Sequence, residues 1–175
     1  SDSVLISYIN QCRSTLDIAI YNSASPSRPS GIAGAINSAY NRGVRVRVIY
    51  DGSTGSAMIP LLDAGIPRLA SPNNANYGIM HNKFVVFDAD SSDPNVPWVW
   101  TGSTNWTVSQ IDGPDKNNAI AVQDQALAQA YKTEFQEMWG GSDLQPNLSL
   151  SKFGPYKTNN TPHTFIIGSV PVESY

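Results

Sequence analysis

Apolar positions along the chain change period several times, and each change marks a predicted element. Val4, Leu5, Tyr8, Ile9 and Cys12 recur at helical spacing, which predicts an amphipathic helix over residues 2–13. Residues 15–22 (TLDIAIYN) read as a strand ending in polar residues, and 23–30, with Pro26 and Pro29, as a loop. Ile32, Ala35, Ile36, Ala39 and Tyr40 mark a second helix, with Gly43 where a C′ glycine is expected. Residues 44–50 (VRVRVIY) form a strand whose alternation puts Arg45 and Arg47 on one face. That pair reads as a solvated face or as packing against helix ends, with a phosphate-steering role as the alternative. A Gly/Ser/Thr loop after Asp51-Gly52 leads to a short helix around Met58, Leu61 and Leu62, stopped by Gly65. Residues 66–69 suit a short edge strand, where Pro67 is tolerated.

After an Asn-rich loop at 71–77 comes the segment around which the chain is organised, residues 78–88 (GIMHNKFVVFD). Phe84, Val85, Val86 and Phe87 form the unbroken run of a strand buried on both faces. Residues i and i+2 of a strand share a face, so this reading makes His81 and Lys83 converge on one spot. A polar turn at 88–97 leads to a returning strand at 96–101, taken to pair with the first as a hairpin. A long polar loop (102–116), a short strand (118–123) and a strong amphipathic helix (125–139) closed by Gly140-Gly141 follow. Strand–helix alternation predicts an α/β domain over residues 1–141, with a mixed, mostly parallel central sheet and helices on both faces. Residues 142–175 read as a linker followed by β-like segments at 164–167 and 170–172, leading into a second half.

The length of 175 residues suits one core, while charged residues, at 14%, fall well below the usual quarter. A net charge of −3 argues against strong non-specific binding of a polyanion. Charge is nonetheless uneven: Arg28, Arg42, Arg45, Arg47, Arg68 and Lys83 face only Asp51 and Asp63 between residues 28 and 83. The single cysteine, Cys12, excludes an internal disulfide and a cysteine-based metal site, and reads as a small buried hydrophobe. No apolar run approaches the roughly 20 residues of a membrane span, so stable membrane insertion is not expected. Ser1 looks like a cut end, which leaves room for an exported precursor but does not fix a compartment.

His81-x-Lys83-x4-Asp88 followed by Gly102-Ser103-x-Asn105 resembles the signature of the phospholipase D superfamily. The strand at 16–22, Gly43-Val44, Gly65-Ile66-Pro67 and the helix carrying Ala128, Tyr131 and Trp139 extend the resemblance to a single-motif bacterial endonuclease of that superfamily, over residues 4–140. The resemblance implies a phosphodiesterase that needs no cofactor and no metal. A neutral imidazole, His81, attacks phosphorus and forms a phosphohistidine. Lys83 and Asn105 hold the non-bridging oxygens, each interaction worth about 2–4 kcal/mol on the scale of oxyanion donors. Asp88 supports structure, and Gly102, Ser103 and Asn118 shape the site, Ser103 through its hydroxyl. Trp98, Trp100, Trp106 and Trp139 are expected mostly in the core, with Trp106 close enough to the motif to line a groove.

Two departures stand out. The similar endonuclease carries a glutamate, orienting the nucleophilic histidine, where this chain has Asn117 before Asn118. An amide orients an imidazole but supplies no charge, so Asn117 implies weaker activity, or Asp115 or Asp51 stands in. The mechanism also needs a second histidine to protonate the leaving alcohol. His163, in a Thr-Pro-His-Thr turn, reads as structural. The site is therefore expected to be completed by a homodimer partner or by a second motif-bearing half beyond Tyr175. The expected substrate is a phosphodiester, nucleic acid or phospholipid. Nuclease-like hydrolysis is favoured, with a phospholipase or transferase and a non-catalytic phosphate-binding module as the alternatives.

Overall fold

The computed structural model describes residues 2–23, 29–54, 56–73 and 76–175, without the side chains of residues 29 and 30. The expected loop at 23–30 therefore lies largely outside the described residues. In chain order the elements are α1 (Asp2–Gln11), β1 (Thr15–Ile20), α2 (Pro29–Asn41), β2 (Arg45–Tyr50) and β3 (Arg68–Ala70). They continue with β4 (Lys83–Phe87), β5 (Trp98–Gly102), α3 (Val108–Ile111), β6 (Ala119–Gln123), α4 (Gln125–Trp139), β7 (Thr164–Ile167) and β8 (Val170–Glu173). The helix expected near Met58 is a single 3-10 turn at Ile59–Leu61, and α3 interrupts what the sequence suggests is a continuous polar loop.

Among the described residues one six-stranded sheet runs in the order β3-β2-β1-β4-β5-β6. β1, β2 and β3 pair in parallel, whereas β1–β4, β4–β5 and β5–β6 are antiparallel. The mixed α/β sheet is as expected, but it is not mostly parallel: three of its five strand pairs are antiparallel, and parallel pairing is confined to the half built from crossover units. The reason is local: α2 carries the chain back to the start of β2, while β4 returns through β5 by the polar connection at 88–97, with no crossover helix. Both faces are covered. Leu5 and Ile9 of α1 and Ile32 and Ile36 of α2 pack with Ile18, Val85 and Phe87 on one face; Leu127, Phe135 and Met138 of α4 pack with Phe84 and Val86 on the other.

α4 begins where Asp124 Oδ1 accepts from Leu127 N–H at 2.7 Å and ends on Gly140 at φ 86°. The tail then doubles back along α4. Asn147 N–H donates to Trp139 O, Lys152 N–H to Glu137 O, and Phe153 is buried. β7 and β8 form a two-stranded hairpin that tucks Phe165 against the α4 face.

Asp88 follows β4 with φ 52°, a left-handed conformation that carboxamide and carboxylate residues tolerate better than most. Its carboxylate accepts from Arg13 N–H (2.9 Å), Ser14 N–H (2.6 Å), Ser14 Oγ (2.8 Å) and Thr15 N–H (3.0 Å). It thus ties the α1–β1 turn at the opposite end of β4 from His81. Burial and the Asp88 charge together push the neighbouring Cys12 thiol far up, leaving it inert. Replacing Asp88 with Ala strands several buried donors, so Asp88→Ala is expected to lower unfolding free energy by about 2–4 kcal/mol. Urea denaturation checks this; a loss under about 1 kcal/mol would mean that the turn holds without the carboxylate.

Candidate functional site

Antiparallel pairing of β1 with β4, and of β4 with β5, brings the end of β1, the start of β4 and the end of β5 to one end of the sheet. Ile20 pairs with Lys83, and Phe84 pairs with Thr101. The regular strand begins at Lys83, so His81 lies in the segment leading into β4 and not on the strand proper. Asn82 still extends the ladder, since its carbonyl accepts from Tyr21 N–H at 2.8 Å. His81 is exposed, while Lys83 is buried to 9% relative accessibility.

The two groups do converge. Lys83 Nζ donates to the His81 carbonyl at 2.8 Å and sits 5.1 Å from the centre of the Tyr21 ring. The His81 imidazole meets that same ring edge-on at 4.8 Å. Tyr21 is thus the shared wall of the pair, a role that sequence inspection did not assign. An aromatic residue closing an apolar strand beside the motif strand was the available signal. Partial burial and the Lys83 charge pull the His81 pKa below its ordinary value against an upward pull from Asp51, so the imidazole is neutral near pH 7. Burial likewise lowers Lys83.

Asn105 is buried at the same sheet end. Its N–H donates to Gln110 Oε1 at 2.7 Å, and its side-chain oxygen has no hydrogen-bonding partner among the described residues. Trp106 N–H donates to Asn22 O at 2.9 Å, which docks this loop onto the end of β1. Gly102 has φ 145°, and a Cβ there would meet Asn118 O at 2.4 Å, so only glycine fits. Ser103 staples the same turn: its N–H donates to Asn118 O at 3.0 Å, and its hydroxyl accepts from Asn118 N–H at 3.0 Å. Asn117 does not face His81; it lines a separate cleft with Trp106 and Gln110. Asp115 is exposed. Asp51, by contrast, is buried and donates nothing but accepts Met80 N–H at 2.6 Å, one residue before His81.

A cleft of about 760 Å³ opens beside His81 and Lys83, floored by Phe84, Tyr131 and Met138 and walled by the tail. The tail is held there by Thr158, whose N–H and hydroxyl donate to Glu137 Oε1, and by the Lys157–Glu134 ion pair. His163 also lines this cleft, but both its ring nitrogens are engaged, Nδ1 with Ser174 O at 2.7 Å and Nε2 with Asn159 Oδ1 at 2.6 Å. Among the described residues no cluster of three or more His, Cys, Asp or Glu is arranged to hold a metal ion. No helix among them is long and apolar enough to cross a membrane.

A neutral imidazole, a buried ammonium and a buried carboxamide thus lie at one end of a mixed α/β sheet, the arrangement expected from the resemblance to the phospholipase D superfamily. Comparison with known proteins agrees. Residues 5–139 match the family described as "Cardiolipin synthase, PLD-like domain". The chain therefore belongs to the phospholipase D superfamily. It is 33% identical over 141 residues to a mitochondrial cardiolipin hydrolase of Xenopus tropicalis, covering 78% of this chain and 60% of that protein, so it spans about three fifths of that relative's length. Nuc from Salmonella typhimurium, a phospholipase D family member of known structure, is 27% identical with a TM-score of 0.62, covering 78% of this chain and 85% of that one. NucT from Helicobacter pylori is 28% identical with a TM-score of 0.61 at the same coverages.

Proposed function

We propose that this chain carries the nucleophile half of a phosphodiesterase site that works through a phosphohistidine without a metal ion. The observation that supports it best is the convergence of His81 and Lys83 on Tyr21, with the imidazole neutral and open to the cleft. A nitrogen of His81 adds to phosphorus, the P–O bond to one alcohol breaks, and that alkoxide leaves with a proton from a second acid. Water then cleaves the P–N bond and returns the imidazole. Lys83, released from the His81 carbonyl, and Asn105, donating through its amide nitrogen, hold the non-bridging oxygens. Asp88, Gly102, Ser103 and Asn118 keep the two loops in register.

The second acid comes from another motif, in a homodimer partner or in a further half. His163 is a poor source because its ring is already committed at both nitrogens. The resemblance to a single-motif endonuclease favours nucleic acid as the substrate. The name of the Xenopus relative favours a phospholipid as the second reading. Hydrolysis of bis(p-nitrophenyl) phosphate is expected to persist undiminished in millimolar EDTA, because Lys83 and Asn105 supply the positive field that a metal would. A loss of more than about tenfold on chelation, recovered on adding a divalent ion, would overturn the metal-independent scheme. The same assay with single-stranded DNA and with cardiolipin vesicles separates the two substrate readings.

A further inference from the structure

Asn117 stands where a glutamate orients the histidine in the similar endonuclease, and it faces a different cleft from His81. A buried carboxylate nevertheless reaches the His81 segment from another strand. Asp51, just past β2 and 1% exposed, accepts from Met80 N–H through Oδ2 at 2.6 Å. Its other oxygen is locked by Ser53 N–H (2.9 Å), Ser53 Oγ (2.5 Å) and Thr54 N–H (3.0 Å). Burial alone would raise this carboxyl, but the hydrogen bonds from Ser53, Met80 and Thr54 outweigh it and hold it below the usual carboxylate range. Three consecutive residues are therefore pinned by three elements: Met80 by Asp51, His81 by Lys83 and Asn82 by Tyr21.

We propose that Asp51 is the positioning residue for His81, fixing the path of its segment through the Met80 amide and supplying the negative field that offsets the charge on the phosphorylated ring. This rests on the phosphohistidine reading above. When the neutral imidazole bonds to phosphorus its ring becomes cationic, so a fixed anion nearby lowers that state more than the resting one. The glutamate's work is thus done from β2 and not from the start of β6. The other charged or titratable groups near His81 are Lys83 from β4 and Tyr21 from just past β1. Across the cleft lie Tyr77, Glu134 paired with Lys157, His163 and Tyr175.

The test is an NMR titration of the two histidine rings, His81 being assigned as the signal that remains in His163→Gln. In Asp51→Asn the His81 midpoint is expected to fall, and kcat to drop roughly 10–100-fold with little change in KM, the scale seen for outer-sphere partners. In Asp51→Glu the charge stays but the carboxylate is displaced from the Met80 amide, so kcat falls while the midpoint moves less. Should Asp51→Asn fail to fold by circular dichroism, Asp51→Glu carries the test alone: wild-type kcat there overturns the proposal. An unmoved His81 midpoint in folded Asp51→Asn also overturns it. Wild-type protein assembled with a second motif, as a dimer or with a further half, that titrates as expected yet turns over no phosphodiester would instead defeat the phosphohistidine reading, and the titration does not depend on turnover.

Discussion

His81→Ala is expected to reduce phosphodiester turnover about 10⁴-fold or more while shifting the melting temperature by no more than about 2 °C. The two halves of this expectation come from the same geometry. The imidazole is exposed, and its packing contact is the edge of Tyr21, so truncating it leaves no cavity and strands no buried partner. The chemistry, in contrast, has no substitute nucleophile: Cys12 is held as a thiol at the far end of the sheet, and His163 is fixed by Ser174 and Asn159. A neutral His81 at pH 7 also sets the pH dependence. Because its pKa is drawn below the ordinary histidine value, the acid limb of the rate profile should lie below that value, with activity rising as the ring deprotonates. Wild-type rates in His81→Ala would end the nucleophile assignment, and a large fall in melting temperature would show that the ring is part of the core.

How far such a site can be read from sequence depends on how local its determinants are. Periodicity located α4, Gln125–Trp139, because an apolar stripe and two closing glycines coincide there; the Asp124 cap that fixes its start is seen only in the structure. The His81–Lys83 spacing was legible for the same reason. What spacing could not show is that β4 starts at Lys83, because Gly78 at φ 73° and the Asp51–Met80 bond shape the approach, and these are set by a distant strand. Tyr21 and Asp51 belong to the site through pairing of β1 with β4 and of β1 with β2, contacts between residues tens of positions apart. The packing of the tail on α4 was invisible too. Its sequence is polar and lacks periodicity, and apart from the lone anchors Phe153 and Phe165 it is held by backbone groups of Trp139 and Glu137 and by the carboxylates of Glu137 and Glu134, which leave no mark on hydrophobic pattern.

Of the two plain readings of the Arg45–Arg47 face, a solvated face and packing against helix ends, Arg47 takes the second, at the C-terminal end of α4. An arginine two residues from another on a strand suggests a solvated face, but that inference assumes one face of the sheet is wet. α4 covers it here. Arg47 is fully buried, donates from Nε and Nη2 to the two oxygens of Asp17 at 2.7 Å each, and lies 4.9 Å from the Phe135 ring centre and 5.6 Å from that of Trp139. Its remaining nitrogen donates to the carbonyls of Ser142 and Asp143, so the guanidinium joins β1, α4 and the first residues of the tail. Asp17 pairs with Arg47 in register across β1 and β2, which makes the bidentate fork a consequence of the ladder. Arg45 lies one turn of the pleat away, partly exposed, and donates to Ser142 O. Neither arginine is placed to steer a phosphate toward His81.

The expected result is a large asymmetry between breaking this pair and replacing it. Asp17→Ala leaves an unneutralised guanidinium in the core, and should cost about 3–5 kcal/mol of unfolding free energy. The double variant Asp17→Leu with Arg47→Met removes both charges and keeps most of the volume. It should recover most of that loss, to within about 1–2 kcal/mol of wild type, the residue reflecting the lost bonds to Ser142 and Asp143. Because both groups are buried, raising salt to 1 M should change the wild-type to Asp17→Ala difference little, unlike an exposed pair. Guanidinium chloride confounds that comparison through its own ionic strength, so urea melts at two salt concentrations are the measurement. A single-variant loss below about 1 kcal/mol, or one that vanishes in salt, would mean that water reaches Arg47 and that α4 does not seal this face of the sheet.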